Sequence, residues 1–329
     1  MTCIVSGRRA LGTPATCESG VCPGPDKNDN CGAPSGLINP PVNPNTTMPE
    51  LPEVEVTRRG VAPLLEGQVI TGAVVRNRHL RWLVPAHLAR SLTGLLVARV
   101  GRRGKYLLIE CVRPDAGNGT PAGWLIVHLG MSGSLRFVAP GTTPKKHEHF
   151  DLATQKTLLR LHDPRRFGAV LWHPASDGPI ESHTLLARLG VEPLERGFDA
   201  ETLFLGSRGR SVSIKQMLLA GTVVVGVGNI YASEALFRAR IHPATAAGRI
   251  SRMRYARLAH EIVAVLREAI GKGGSTLRDF THSDGAPGYF QLDYFVYGRE
   301  GQPCRNCSTP IRGLKQGQRS TFYCPKCQK

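Results

Sequence analysis

Two pairs of cysteines near the end of the chain constrain its fold more than any other feature. Cys304-Arg305-Asn306-Cys307 and Cys324-Pro325-Lys326-Cys327 are C-x2-C knuckles separated by sixteen residues, a spacing that suits a four-cysteine zinc site. Each knuckle presents two thiolates to one tetrahedral ion, and the residues between must turn back as a hairpin to bring the pairs together. Two disulfides or a mononuclear iron site are the alternatives, and a reducing compartment disfavours the first. Arg312, Lys315, Arg319 and Lys326 lie within or beside this hairpin with no acidic residue among them, so a surface facing nucleic acid is expected there.

The charge of the whole chain points the same way. Its 329 residues carry a formal net charge of +17, with a pI of about 9.9. A surface of that sign neutralises phosphates and gains affinity from released counterions, although a ribosome-associated or merely basic protein would share the composition. Hydrophobic residues make up 41 %, enough for a sizeable core. No apolar stretch is long enough to span a bilayer, so no membrane partner is expected.

The first 47 residues differ from the rest. They hold no aromatic residue, thirteen of them are Pro or Gly, and their charges cancel. Such a segment cannot bury enough apolar surface to offset its ordering entropy. Residues 1–47 are therefore expected to be a disordered extension, or translated sequence ahead of a true start at Met48. They have neither the apolar run of a secretory signal nor the arginines of a transit peptide, which favours the cytoplasm. Cys3, Cys17, Cys22 and Cys31 have no ligand spacing and need no role.

From Pro49 onward the text is organised. Acids precede bases in 49–59, as a helix dipole prefers, and Pro52 fits an early helical position. Leu51, Val54, Val61, Leu64 and Leu65 supply an approximate apolar face. Short β-branched runs follow at 69–76, 92–100, 106–112, 124–129, 135–138, 158–162 and 169–172, divided by glycine-rich turns. That pattern predicts a β-sandwich or barrel-like domain. After Trp172 the period becomes helical, with helices expected after a cap at Asp199, at 213–220, at 229–239 and at 251–270. The expected organisation is a β-rich domain at 48–187, a linker at 188–194, a helical domain at 195–295 and a metal-binding module at 296–329.

Several motifs in this order give the chain an identity. They are Met48-Pro49-Glu50-Leu51-Pro52-Glu53-Val54-Glu55, Gly104-Lys105-Tyr106-Leu107-Leu108, and His128-Leu129-Gly130-Met131-Ser132-Gly133-Ser134-Leu135-Arg136. Asp163-Pro164-Arg165-Arg166-Phe167-Gly168 follows, then Val225-Gly226-Val227-Gly228-Asn229-Ile230-Tyr231-Ala232-Ser233-Glu234. Ser283-Asp284-Gly285, Gly288-Tyr289-Phe290 and the cysteine knuckles complete the set. Over essentially all of 48–329 the sequence resembles the formamidopyrimidine-DNA glycosylases. The resemblance implies an α+β multidomain fold: an N-terminal helix and β-sandwich, then a helix–two-turn–helix domain with a C-terminal zinc ribbon. It also implies a base-excision repair enzyme that removes oxidised purines, such as 8-oxoguanine and formamidopyrimidines, from double-stranded DNA and then cleaves the strand. One structural zinc per chain, a monomeric state and a place in the cytoplasm beside the nucleoid complete the expectation.

The same resemblance assigns roles. Pro49, with Met48 removed, is the nucleophile through its main-chain nitrogen. A free α-amine titrates near ~7.7–8.0, so much of it is neutral near physiological pH and able to form a Schiff base. Without the resemblance, a proline here simply opens a helix. Glu50 is the acid that protonates the sugar ring oxygen, and Glu53 supports the turn. Lys105 reaches the lesion's flanking phosphate and assists proton transfer, and Arg319 binds a phosphate around the reaction centre and assists elimination. A base inside a duplex must be rotated out before reaction, and Met131, Arg166 and Phe167 match the residues that fill the gap. His147, Arg165, Arg210 and Asn229 correspond to backbone-binding positions, with Lys215 near them. Two points depart from the family pattern. Ala220-Gly221-Thr222 stands where an acidic or amide pair is more usual, and the extension, if retained, makes the Pro49 nitrogen an amide. Competing readings are the sister group that acts on oxidised pyrimidines and a non-catalytic, zinc-dependent DNA-binding protein.

Overall fold

The structure, a computed structural model, describes residues 49–114, 119–273 and 294–329. The N-terminal extension with its four cysteines, residues 115–118 and the motif at 283–290 lie outside the described residues.

The first helix, α1 (Leu51–Leu65), starts where the sequence places it. Glu50 is extended, and its N–H donates to the Glu53 carboxylate at 2.9 Å, one half of a capping box. The helix belongs to two cores at once. Leu51 and Val56 pack into the helical domain, whereas Val54, Val61, Ala62 and Leu65 pack into the sandwich. Each fully buried aliphatic side chain of this kind stabilises by roughly 1.5–3 kcal/mol, so α1 joins the two halves.

Eight strands follow α1, with a one-turn helix among them. They are β1 (Ile70–Val75), β2 (Leu96–Arg103), β3 (Tyr106–Arg113), β4 (Thr120–His128), β5 (Ser134–Val138), β6 (Glu148–Thr154), β7 (Leu158–His162) and β8 (Ala169–Pro174), and α2 (Leu88–Leu92) precedes β2. They make two antiparallel sheets, ordered β1-β6-β7-β5 and β2-β3-β4-β8. Val97, Leu107, Ile109, Leu125 and Val127 of one sheet meet Ile70, Phe150, Leu152, Leu159 and Leu161 of the other in a shared core. The β-rich domain is thus a sandwich. A two-residue turn joins β2 to β3, since Arg103 pairs with Tyr106. Gly104 occupies its first position at φ +57°, a conformation glycine adopts without strain, and this leaves Lys105 at the apex.

Two strand expectations need correction. The run at 92–100 begins as a strand only at Leu96, because Leu92 closes α2 and a turn through Gly94 (φ +88°) intervenes. β6 has no counterpart among the expected runs. Its Glu148, His149 and Asp151 read as solvent-facing, yet all are buried. Their charges are met from neighbouring segments: Asp151 pairs with Arg76 and Arg160, and Glu148 with Arg136 and Arg160.

The second half contains α3 (Ala200–Ser207), α4 (Ile214–Ala220), α5 (Asn229–Arg238) and α6 (Arg252–Gly271). Asp199 caps α3 by accepting from Thr202 N–H at 2.7 Å, and Ser213 and Ser251 cap α4 and α6, as short side-chain acceptors do. Gly221 ends α4 in the left-handed region, as glycine does after many helices. The loop 222–228 then delivers the chain to α5. Beyond 294, β9 (Arg312–Gln316) and β10 (Arg319–Tyr323) form the expected hairpin. Its turn residues, Gly317 and Gln318, both have positive φ, the signature of a two-residue primed turn. No helix among the described residues is long and apolar enough to cross a membrane.

Candidate active site

The start of α1 lies where the loop before α5, the β2–β3 turn and the β9–β10 hairpin converge. Glu50 is 1 % exposed. Its carboxylate accepts from the N–H groups of Ile230 at 3.1 Å and Tyr231 at 3.4 Å, in the first turn of α5. That approach requires Gly228, because a Cβ there would lie 2.0 Å from the Glu50 carboxyl carbon. Gly226 serves the neighbouring position: its φ is +84°, and a Cβ would lie 2.5 Å from Leu51. The paired glycines in Val225-Gly226-Val227-Gly228 therefore let the loop lie flat on the start of α1.

Burial pushes the Glu50 carboxyl above its ordinary range, against the pull of Lys105 and of the α5 amides, because desolvation disfavours the charged form. Glu53 is raised too, first by burial and further by the Glu50 charge, while a 2.6 Å bond from the Tyr231 hydroxyl opposes the shift. Tyr231 thereby holds Glu53, and Glu53 holds the main chain of Glu50, next to Pro49. Lys105 is half-buried at its turn, and desolvation lowers its pKa while Glu50 raises it. A carboxyl of raised proton affinity beside a lysine of reduced basicity suits proton transfer.

Two further groups close the cluster. Lys215, fully buried in α4, donates to the Thr321 hydroxyl at 2.9 Å and to the Ser320 carbonyl at 3.2 Å. Burial pushes its ammonium down to about 7, with Glu50 opposing and Arg319 assisting. Asn229 donates to the same Ser320 carbonyl at 3.1 Å. Arg319 is exposed at the hairpin tip, and its charge depresses both Lys105 and Lys215. Pro49, Glu50, Lys105, Asn229 and Arg319, far apart in sequence, thus come to one place.

A second group forms beside it on the sandwich. A Cβ on Gly130 would lie 2.4 Å from the Phe167 carbonyl carbon, so the Met131 loop rests directly on the Arg165–Phe167 turn. Asp163 staples the two: its carboxylate accepts from Ser132 at 3.1 Å and from Gly168 N–H at 2.8 Å. Phe167 is 41 % exposed, with the Arg165 guanidinium 5.0 Å above its ring. Arg166 is exposed at φ +57°. Met131 is half-buried, so neither it nor Phe167 is core. His147 joins them, its carbonyl accepting from Asp163 N–H at 2.9 Å. His128 links the groups. Its ring lies 4.8 Å from Tyr106, next to Lys105, and its Nδ1 accepts from Gly130 N–H. Arg210 stands apart, exposed after α3, with main-chain bonds to Ser207 and Gly248.

At the other end of the hairpin the four cysteines converge. Their sulfurs all lie within 4.8 Å of one another. Cys304–Cys327, Cys307–Cys324 and Cys307–Cys327 are separated by 3.9, 3.5 and 3.4 Å. Four thiolates at the usual zinc distance of ~2.3 Å sit about 3.8 Å apart on the edges of a tetrahedron, so the residues fit one structural zinc ion. Main-chain N–H groups of Asn306 and Cys327 donate to Cys304 and Cys324 sulfurs at 3.4 Å, which supports thiolate charge.

Reasoning from sequence missed Tyr231, Asp163 and the depth of Lys215. The first two sit inside quoted motifs, but their partners are 178 and 31 residues distant along the chain, and no local pattern reports that.

A β-sandwich and a helical domain that meet at a buried acid and a turn lysine, with a four-cysteine ribbon seated on the helical domain, have the make-up of a zinc-ribbon enzyme. Family models match in three consecutive pieces: the formamidopyrimidine-DNA glycosylase N-terminal domain over 48–170, its H2TH domain over 189–281, and the zinc finger found in FPG and IleRS over 301–329. The formamidopyrimidine-DNA glycosylase of Janthinobacterium sp. (strain Marseille) is 61 % identical over 282 residues, 86 % of this chain and all of that protein. That of Ralstonia nicotianae is 58 % identical over 289 residues, with the same coverage of both chains. Among solved structures, a Lactococcus lactis FPG mutant in complex with Fapy-dG containing DNA is similar, with a TM-score of 0.75 and 32 % identity over 85 % of this chain and 100 % of that one. The MutM (FPG) protein of Thermus thermophilus gives 0.72 and 38 %, over 85 % of this chain and 98 % of that one. The chain belongs to the formamidopyrimidine-DNA glycosylase family.

Proposed function

We propose that this chain removes oxidised purines, 8-oxoguanine and formamidopyrimidines among them, from double-stranded DNA through a Schiff base on Pro49, and then cuts the strand by β- and δ-elimination. One observation carries the reading. Glu50, the neighbour of Pro49, is buried against the first turn of α5 with its pKa raised, beside Lys105.

The neutral Pro49 nitrogen attacks C1′ of the extruded nucleotide. The C1′–N9 bond breaks, and its electron pair leaves with the base, which takes up the proton that the proline nitrogen sheds. Glu50 gives its proton to the ring oxygen, the sugar opens, and C1′ and the proline nitrogen become an iminium. That electron sink acidifies C2′; loss of its proton expels the 3′ phosphate, and a second elimination expels the 5′ phosphate. Lys105 and Arg319 hold these phosphates and assist both departures. Zinc, when bound, supplies a folded ribbon that places the β9–β10 hairpin and Arg319; it takes no part in bond breaking.

Met131, Arg166 and Phe167 enter the gap left by the base, as apolar wedges and guanidinium planes can. Arg166 and Phe167 are exposed and Met131 half-buried on two stapled loops, a placement that suits insertion. His147, Arg165, Arg210 and Asn229 bind the phosphate backbone and read no sequence. The domain limits follow the chemistry: 48–187 carries the nucleophile, 188–194 links, 195–295 grips DNA, and 296–329 holds zinc. The protein acts as a monomer in the cytoplasm at the nucleoid, without a membrane partner. The DNA-bound L. lactis relative supports the substrate.

Borohydride trapping tests the reading. A polypeptide beginning at Pro49 should be reduced onto an 8-oxoguanine:C duplex as a covalent adduct, and should prefer it to a thymine-glycol duplex. Glu50→Gln should lower trapping on the 8-oxoguanine duplex by about 100-fold or more, the usual scale of a general acid. Undiminished trapping by that variant would remove Glu50 from the mechanism.

A further inference from the structure

We infer that Glu192, in the segment joining the two domains, is a positioning residue that sets Lys105 against Glu50; the inference rests on the roles proposed above for those two residues. Lys105 rides on the sandwich, at the apex of the β2–β3 turn. Glu50 is seated by the loop before α5, which belongs to the helical domain. Two connections set the distance between them: α1, which follows Glu50 and packs into the sandwich core with Arg102 donating to its Glu55 at 3.2 Å, and the junction between the domains.

Glu192 is the group at which that junction closes. It is 4 % exposed. Its carboxylate accepts from the main-chain N–H of Gly104, from Arg102 at 2.8 Å and from Arg103 at 3.1 Å. These are the three residues directly before Lys105. Arg103 also donates to the carbonyls of Leu189 at 2.8 Å and Gly190 at 2.6 Å, so the turn is bonded to the linker at both its main chain and its side chains. The linker is bonded in turn to the loop that seats Glu50. Gly190 N–H donates to Gly221 at 2.8 Å, Val191 N–H to Val223 at 3.0 Å, and Val225 N–H to Val191 at 3.0 Å. Gly226, the next residue, accepts from Leu51 N–H at 3.3 Å.

The turn also touches that loop directly, since a Cβ on Gly104 would lie 2.5 Å from Val225 Cγ2. Lys105 and Glu50 are therefore connected through one continuous strap, and Glu192 holds the sandwich end of it. A carboxylate suits this post because it accepts several bonds at once and, with Glu55, meets the charge of Arg102, which is 6 % exposed. An amide at 192 keeps one acceptor oxygen and loses the charge. The β2–β3 turn is then free to drift, and a displacement of ~1 Å at a reacting group costs on the order of 100-fold in rate.

The test uses single-turnover cleavage of an 8-oxoguanine duplex by the chain beginning at Pro49, with active sites counted by borohydride trapping. Glu192→Gln should lower the rate per active site by roughly 10- to 100-fold, while duplex affinity changes less than about 3-fold. In a Lys105→Ala background the same substitution should have little further effect, because the group it positions is gone. A rate per active site equal to that of the parent, or a loss fully additive with Lys105→Ala, would overturn the inference, whatever happens to the melting temperature. If Glu192→Gln does not fold, Arg103→Gln, which removes one arm and leaves the Gly104 bond, is held to the same two criteria. An inactive parent chain would instead overturn the catalytic reading on which the inference stands.

Discussion

Gly228 shows how much of this site depends on a side chain that is absent. Glu50 can lie on the first turn of α5 only because nothing projects from position 228, where a Cβ would sit 2.0 Å from the carboxyl carbon. Gly228→Ala should therefore displace Glu50 from the Ile230 and Tyr231 amides and cost about 1–3 kcal/mol of stability through overpacking. Its effect on catalysis should be larger, a loss of ~100-fold or more in strand cleavage, with a smaller fall in duplex affinity because Asn229 alone among the proposed DNA-binding groups adjoins the substitution. Rates and equilibrium binding measured on the same preparation separate these effects. Wild-type cleavage by the variant would show that the Glu50 seat is not needed. Lys215 is the converse case, a charge kept where packing alone would reject it. Its pKa falls to about 7 through burial, whereas an unfolded lysine titrates near ~10.4. Between those limits the unfolded chain binds more protons, so stability from this group rises with pH across the window, and the full cost of burial is present below pH 7. Lys215→Met should accordingly be more stable than the parent at about pH 6, by a few kcal/mol, and should lose that advantage as pH approaches ~10. Denaturant melts at both pH values check the sign; an advantage that grows with pH would contradict it.

Among the elements, the ribbon and the helices were legible in the sequence because their signals are local. Paired knuckles, the caps at Asp199, Ser213 and Ser251, and the glycine after α4 each announce themselves within a few residues. β6 was not legible, since its buried Glu148 and Asp151 look like surface until Arg76, Arg136 and Arg160 arrive from other segments. The candidate cluster divides the same way. Glu50 and Lys105 stood out through motifs, but Tyr231 on Glu53 and Glu192 on the Arg102–Gly104 segment are long-range contacts with no periodicity behind them. The ribbon also makes an element-scale expectation. Its small core, Phe237, Val296, Cys304, Ile311 and Cys324, includes two of the ligand cysteines, so without the ion little remains to hold the hairpin. The protein should bind one zinc per chain, and Cys324→Ala or chelation should weaken DNA binding by about 10-fold or more. The sandwich and helical cores do not involve the ribbon cysteines, so circular dichroism should change little. Metal loss with undiminished affinity would detach the ribbon from DNA binding.

At the scale of the whole molecule, the charge is divided unequally. The charges of the first 47 residues cancel and the entire excess of +17 lies beyond them, so the extension adds no net charge for phosphate to meet. It does bear on the chemistry. The proposed nucleophile is the nitrogen of Pro49, and in a chain that begins at Met1 this nitrogen is part of a peptide bond. Resonance withdraws its lone pair into the carbonyl, leaving nothing to attack C1′. The chain beginning at Met1 should therefore bind duplex DNA with the same steep salt dependence as the chain beginning at Pro49, because both present the same basic groups to phosphate. It should neither cleave nor be trapped by borohydride. Any residual activity in such a preparation should scale with the fraction of molecules that mass spectrometry finds cut to Pro49. Pro49→Gly with a free terminus should keep some trapping, since a primary amine also forms an imine. Robust trapping by a homogeneous Met1 chain would transfer the nucleophile to another amine, with Lys105, already lowered in pKa by burial beside Glu50, the first to examine.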